Sequence, residues 1–297
     1  MRSLEFDQFA LTAKNLLETE LTTMVEELDG PPILKEAMEY SLQAGGKRIR
    51  PLLLFATMDT LGADWKLGVK VAAAIEMIHT YSLIHDDLPS MDDDDLRRGK
   101  PTNHKVFGEA IAILAGDALL TQSFRVLSTL DSAIFTDRQK LDIISCLSQS
   151  AGAEGMVGGQ VADLLGEDKQ VSLEELEYIH THKTGKLLAV CAEAGCILAD
   201  AKKEIRDLFR SFSHHLGLAF QIRDDILDQI GDEKMIGKPV GSDVSNKKST
   251  YPALLTLTGA EEKLSYHIHA AKATLQKIGG KSLYLDTITE LIATRNY

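Results

Sequence analysis

The chain has 297 residues, 44% of them hydrophobic, and a formal net charge of −12. That length suits one large domain or two modest ones with an ample core. The acidic balance argues against nucleic-acid binding through a basic surface, yet leaves room for a phosphate-bearing ligand held through metal ions.

Helical periodicity dominates in chain order. Stretches at roughly 5–28, 33–43, 51–61, 66–88, 107–130, 137–165, 173–198, 202–230, 250–258, 260–276 and 281–294 each repeat apolar residues near the 3.6 period. Alternating β-branched runs are nearly absent. Gly30-Pro31-Pro32, Gly45-Gly46, Gly99-Lys100-Pro101 and the glycines at 231–241 mark loops. AAAIEMIHTYSLIH and EAIAILAGDALL are apolar on most faces and belong centrally in a bundle. No low-complexity linker splits the chain, so the expected fold is all-α, one domain over residues 1–297. Glu5 and Asp7 interrupt the N-terminal run that a signal peptide needs. The other apolar runs are short or broken by charge, so no membrane insertion is expected. Cys146, Cys191 and Cys196 are odd in number and lack metal-type spacing. They read as reduced thiols of a cytoplasmic protein.

Residues 79–98, HTYSLIHDDLPSMDDDDLRR, hold six aspartates. His79 and Asp86 are seven apart and share a helix face. Pro89 interrupts the pattern before residues 92–95. Carboxylates at a helix C-terminus face the negative end of its dipole, at a cost of roughly 0.3–1 kcal/mol each. Positive charge is needed there, and hard divalent cations suit oxygen ligands. A second cluster, FQIRDDILD at residues 220–228, stacks Asp224 and Asp228 on one helix face beside Asp225. One such cluster reads as a solvated face; two in apolar helices read as a shared cation site. Basic residues bracket the acids: Lys47, Arg48 and Arg50 in AGGKRIRP; Arg97, Arg98 and Lys100; Lys183 and Thr184 in HKTGK; Lys238, Lys247 and Lys248 in GKPVGSDVSNKKSTYP. Each alone could be a salt bridge or a solvated turn; together they suit phosphate oxygens on the metal-free side of a ligand.

In this order, from about residue 40 to 255, the motifs resemble those of the short-chain trans-prenyl diphosphate synthases. The resemblance implies an isoprenoid-synthase helical bundle around a deep central cavity, usually in a homodimer. It implies condensation of isopentenyl diphosphate with dimethylallyl or geranyl diphosphate, with several Mg²⁺ ions, or Mn²⁺, assisting ionisation. By resemblance Asp86, Asp92 and Asp224, with Asp228 as a further candidate, are metal ligands. Arg97, Lys183, Thr184, Gln221, Lys238 and Lys248 contact the allylic diphosphate. Lys47, Arg50, His79 and Arg98 bind isopentenyl diphosphate. Gln160 and Asp163, in GGQVADL, are either a polar contact in the cavity or a packed polar pair. His104, His180, His182, His214 and His215 match no ligand position and read as structural or surface residues.

Product length should follow from the helix that carries Asp86. Tyr81 lies five positions before it, about 7.5 Å along the axis, and Ser82 four before. Together with the two extra residues Pro89 and Ser90, this resembles the bacterial members that stop at fifteen carbons, with Tyr81 as the cavity floor; an ordinary packed aromatic is the alternative. A geranylgeranyl or longer-chain synthase uses the same ions. A terpene cyclase has no need for Lys47, Arg50 and Arg98. A catalytically silent partner subunit or a cation-buffering acidic protein has little reason to keep both acidic motifs with their basic companions.

Overall fold

The computed structural model describes residues 4–167, 169, 171–230, 249–280 and 282–295, whose regular structure is helical apart from one two-stranded ribbon. The helices are α1 (Leu4–Glu26), α2 (Pro32–Leu42), α3 (Ile49–Thr60), α4 (Val69–Asp86), α5 (Asn103–Phe107), α6 (Glu109–Ser128) and α7 (Asp137–Ala151), followed by α8 (Met156–Gly166), α9 (Leu173–His180), α10 (Lys186–Leu198), α11 (Lys203–Ile230), α12 (Tyr251–Ile278) and α13 (Leu283–Thr294). A single π-helical turn, Thr181–Gly185, joins α9 to α10. The all-α expectation holds.

Several boundaries differ from those read off periodicity. The stretch at 137–165 is two helices, because Gly152 and Gly155 sit in a turn between α7 and α8. The stretch at 107–130 starts late: α5 precedes it and ends at Gly108, whose φ is 83°. In α12 the interruption falls at Thr256 (φ 68°, ψ 164°), not at Gly259. Apolar periodicity reports which face is buried, not where the hydrogen-bond ladder breaks.

The described residues group into two compact units, Met1–Phe55 with Asp64–Ile144, and Ala56–Ala63 with Ser145–Tyr297. In the first, α4 is the core element. Small residues such as Ala72, Ala73 and Ala74 let neighbouring helices approach, and α1, α2 and α6 pack on it. Trp65, just ahead of α4, is edge-on to Phe9 and tilted on Phe55, both with ring centroids at 5.2 Å. In the second unit the long pair α11 and α12 buries Phe209, Phe212, Leu216, Ile222 and Tyr251, and α10 packs alongside α11.

Two helical stretches, Trp65–Asp86 and Glu109–Ser128, are long and apolar enough to cross a membrane by length and composition, despite the interrupting Glu76 and Asp117. Protein buries 67% of the most apolar 18-residue window of the first, so most of that window already serves the core.

Candidate active site

The first acidic motif follows directly from the end of α4. Asp86 is its last residue, and the chain turns at Pro89 so that the Asp92 N–H donates to the Asp86 carbonyl at 2.9 Å. The two expected metal ligands are thereby next to one another in space. Asp87 has a different task. It is 3% exposed, and Arg97 Nε donates to its two oxygens at 2.7 and 2.9 Å. Asp94 adds a looser contact to Arg97 at 3.5 Å. Burial alone would lower the Arg97 pKa, but the hydrogen bond and charge of Asp87, with Asp94 and Asp86, outweigh it and raise it. Arg97, expected on the allylic diphosphate, is therefore held by Asp87 in this structure. Sequence reading gave Asp87 no role, since adjacent aspartates look alike until one turns inward.

The ribbon pairs Leu96 with Pro101 and Arg97 with Lys100. Its two-residue turn is Arg98-Gly99, with φ of 54° and 75°, the double positive φ of a type I′ hairpin. That turn sends the Arg98 guanidinium to the Gly45 carbonyl. It also lies over Gly46, where an added Cβ would come within 2.7 Å of Nη1 and whose φ of 132° favours glycine. Around His79 the basic residues collect. Burial first, then the charges of Arg50, Arg98, Arg97 and Arg48, keep its imidazole well below the ordinary histidine range. A neutral ring among guanidinium groups is the electrostatic signature of a site awaiting an anion. Four residues assigned by resemblance to isopentenyl diphosphate, Lys47, Arg50, His79 and Arg98, lie on the connection between α2 and α3, the first turn of α3, α4 and the ribbon turn.

Tyr81 is 7% exposed and stands edge-on to His85 at 5.7 Å between ring centroids. Burial, then the nearby Asp86 carboxylate, raises its pKa. Ser82 turns back to its own helix, its hydroxyl donating to the His79 carbonyl at 2.8 Å.

In the second unit the π-helical turn carries Lys183 and Thr184. π turns inside helices are costly and concentrate at functional sites. This one depends on Gly159 of α8, where a Cβ would meet Lys183 N at 2.1 Å. Lys183 Nζ donates to Asp163 of α8 at 2.6 Å, so Asp163 belongs to the site as a partner for Lys183. Both amide atoms of Gln160, one turn earlier, are buried without a hydrogen-bond partner. On α11, Gln221 Nε2 lies 3.4 Å from His180 Nδ1. Asp225 turns inward, its Oδ2 accepting from the Tyr251 N–H at 2.9 Å and lying 3.2 Å from His180 Nε2. It thus caps the start of α12, which gives His180 the structural role expected of it. Asp224 faces out, paired with Arg295 at 2.7 Å. Lys238, Lys247 and Lys248 lie outside the described residues.

Among the described residues no three carboxylate, histidine or cysteine side chains gather into a metal cage. In phosphate chemistry Mg²⁺ takes one or two carboxylates and shares the ion with substrate oxygens; Asp86 and Asp92, joined through a backbone hydrogen bond, are the carboxylates that would supply them.

The fold and these motifs define an all-helical prenyl-transferring synthase. The polyprenyl synthetase family profile matches residues 31–282, and the chain belongs to that family. It is 57% identical to the farnesyl diphosphate synthase of Geobacillus stearothermophilus, over 100% of both chains. It is 56% identical to the Bacillus subtilis enzyme of that name, over 97% of this chain and 98% of the relative. Among solved structures, an apo FPP/GFPP synthase from Zymomonas mobilis superimposes with a TM-score of 0.86 at 37% identity, covering 98% of this chain and 99% of the other.

Proposed function

We propose that the chain makes farnesyl diphosphate by condensing isopentenyl diphosphate with dimethylallyl or geranyl diphosphate. The observation that carries this reading is the gathering of Arg50 and Arg98 around a neutral His79, on the same face of α4 as Asp86. An anion site beside α4 and a carboxylate pair, Asp86 and Asp92, at the end of α4 suit two diphosphates side by side.

By resemblance, Asp86, Asp92 and Asp224 are the residues that would hold magnesium, which would supply positive charge to the allylic diphosphate leaving group. By resemblance, Lys183 and Arg97, with Lys238 and Lys248, are the residues that would supply positive charge as negative charge grows in the transition state. Thr184 and Gln221 fix the orientation of the departing group. Lys47, Arg50, His79 and Arg98 hold isopentenyl diphosphate so that its double bond meets the allylic cation. The released diphosphate takes the proton that is then lost, so no protein base is required. The apolar length of α4, with Tyr81 closing it, keeps water from the cation.

The same reading includes a homodimer, for which the exposed Ile113 and Leu114 of α6 and Leu141 of α7 offer apolar surface. It includes the cytoplasm, which suits three cysteines without a disulfide, two of them buried. One family profile covers residues 31–282, which supports one polyprenyl synthase domain. Purified protein given Mg²⁺, geranyl diphosphate and isopentenyl diphosphate should release inorganic diphosphate and a fifteen-carbon product. No diphosphate release, or a twenty-carbon product from the unaltered protein, would refute it.

A further inference from the structure

Arg48 lies between two residues assigned to isopentenyl diphosphate, yet it does not face a ligand. It is 5% exposed. Its Nη1 donates to Glu76 Oε1 at 2.7 Å, its Nη2 donates to the Leu42 carbonyl at 2.6 Å, and its Nε lies 4.0 Å from Glu18. Glu76 is itself 3% exposed and sits on α4, one turn before His79. Leu42 is the last residue of α2. One guanidinium thus ties the connection between α2 and α3 to the end of one helix and to the face of α4 beside His79.

That connection needs tying. Gly45, Gly46 and Arg48 have φ of 84°, 132° and 50°. For a residue with a Cβ the left-handed region is strained, and it persists only where the surroundings over-determine it. The contacts that hold Arg48 in it also fix the backbone that carries Lys47, one residue before, and Arg50, two residues after in the first turn of α3. Long basic side chains on a loose segment must be ordered when the ligand arrives, and that ordering opposes binding. On a pinned segment the cost is met during folding.

We propose that the buried Arg48–Glu76 pair is a positioning device that presets Lys47 and Arg50 against His79 for the diphosphate of the homoallylic substrate. This rests on the assignment of Lys47, Arg50 and His79 to isopentenyl diphosphate. The pair touches no substrate and acts through its neighbours.

The test uses the full chain with Arg48→Lys, which keeps the charge opposite Glu76 but cannot donate to Glu76 and Leu42 together. The expected result is a KM for isopentenyl diphosphate raised about 10-fold, with KM for geranyl diphosphate and kcat at saturation within about 2-fold, and a thermal midpoint within a few degrees of the parent. Glu76→Gln, which retains an acceptor but not the charge, should shift the same KM in the same direction by less. Unchanged KM for isopentenyl diphosphate overturns the proposal. So does an equal loss toward both substrates, or an unfolded chain, since either assigns Arg48 to the stability of the fold. Lys47→Ala, assayed in parallel, separates this outcome from failure of the underlying assignment: if it too leaves that KM untouched, the assignment itself is wrong.

Discussion

Arg295 holds Asp224 in an ion pair at 2.7 Å, and its guanidinium also lies 4.0 Å above the ring of Phe220, one turn earlier on α11. The carboxylate expected to take a metal ion is therefore already charge-paired, and the pairing must loosen as the ion binds. Partly exposed pairs of this kind contribute about 0.2–1 kcal/mol. Arg295→Met should accordingly lower the Mg²⁺ concentration for half-maximal activity by roughly 1.5–5-fold. A titration showing the same or a higher requirement would count against Asp224 as a ligand.

Lys183 and Asp163 make a second pair, at 2.6 Å. If Lys183 stabilises the leaving diphosphate, Lys183→Ala should cost about 10²–10³ in kcat/KM, as removal of a preorganised charge partner does. Asp163→Asn leaves the lysine in place but frees its aim, so a loss nearer 10-fold is expected. Steady-state kinetics on both variants check the order; an Asp163 effect exceeding that of Lys183 would reverse their roles.

Truncating Tyr81 tests the cavity floor. Tyr81→Ala should shift output to products longer than fifteen carbons, read by chromatography of the dephosphorylated prenols. Unchanged fifteen-carbon output would leave Tyr81 an ordinary core aromatic.

His79 offers a test by proton counting. Burial and the surrounding arginines hold its pKa well down in the free protein, so it is neutral at pH 7. A bound diphosphate brings negative charge and raises it, so binding should take up protons. Calorimetry of isopentenyl diphosphate binding near pH 6–7, in buffers of different ionisation enthalpy, should register up to about one proton per site. His79→Gln should abolish the uptake.

Another histidine should set the acid limit of stability. His267 is 5% exposed on α12 with its Nδ1 3.0 Å from His215 Nδ1 of α11. Burial, then the charges of His215, His214 and Lys263, brings its pKa down to about 4. The unfolded chain binds a proton near pH 6.5 and the folded chain does not, so stability is intact above 6.5 and falls as pH drops toward 4. The loss is on the order of 3 kcal/mol. Urea midpoints from pH 7 to 4.5 should decline with a slope that His267→Gln reduces; an unaltered slope would show that other groups govern acid unfolding.

Much of the site was legible because charge is costly inside apolar helices. Two aspartate clusters and their basic companions stand out without any coordinates. The roles of neighbours inside a motif were not legible. Asp86 and Asp87, or Asp224 and Asp225, differ by one position, and only the fold turns one of each pair inward, to Arg97 or to the first turn of α12. Arg48 likewise read as one basic residue among three in AGGKRIRP, until Glu76 closed on it from a different helix.

Amino-acid order alone determined the helical class, the apolar centre of α4 and the spacing that joins Tyr81, His79 and Asp86 on one helix, because these follow from local periodicity. Tertiary structure decided the π turn under Lys183, the hairpin that aims Arg98, and which charges are buried in pairs. Those depend on contacts between residues far apart in the chain, as between Gly159 and Lys183 or Arg98 and Gly45, and no local pattern encodes them.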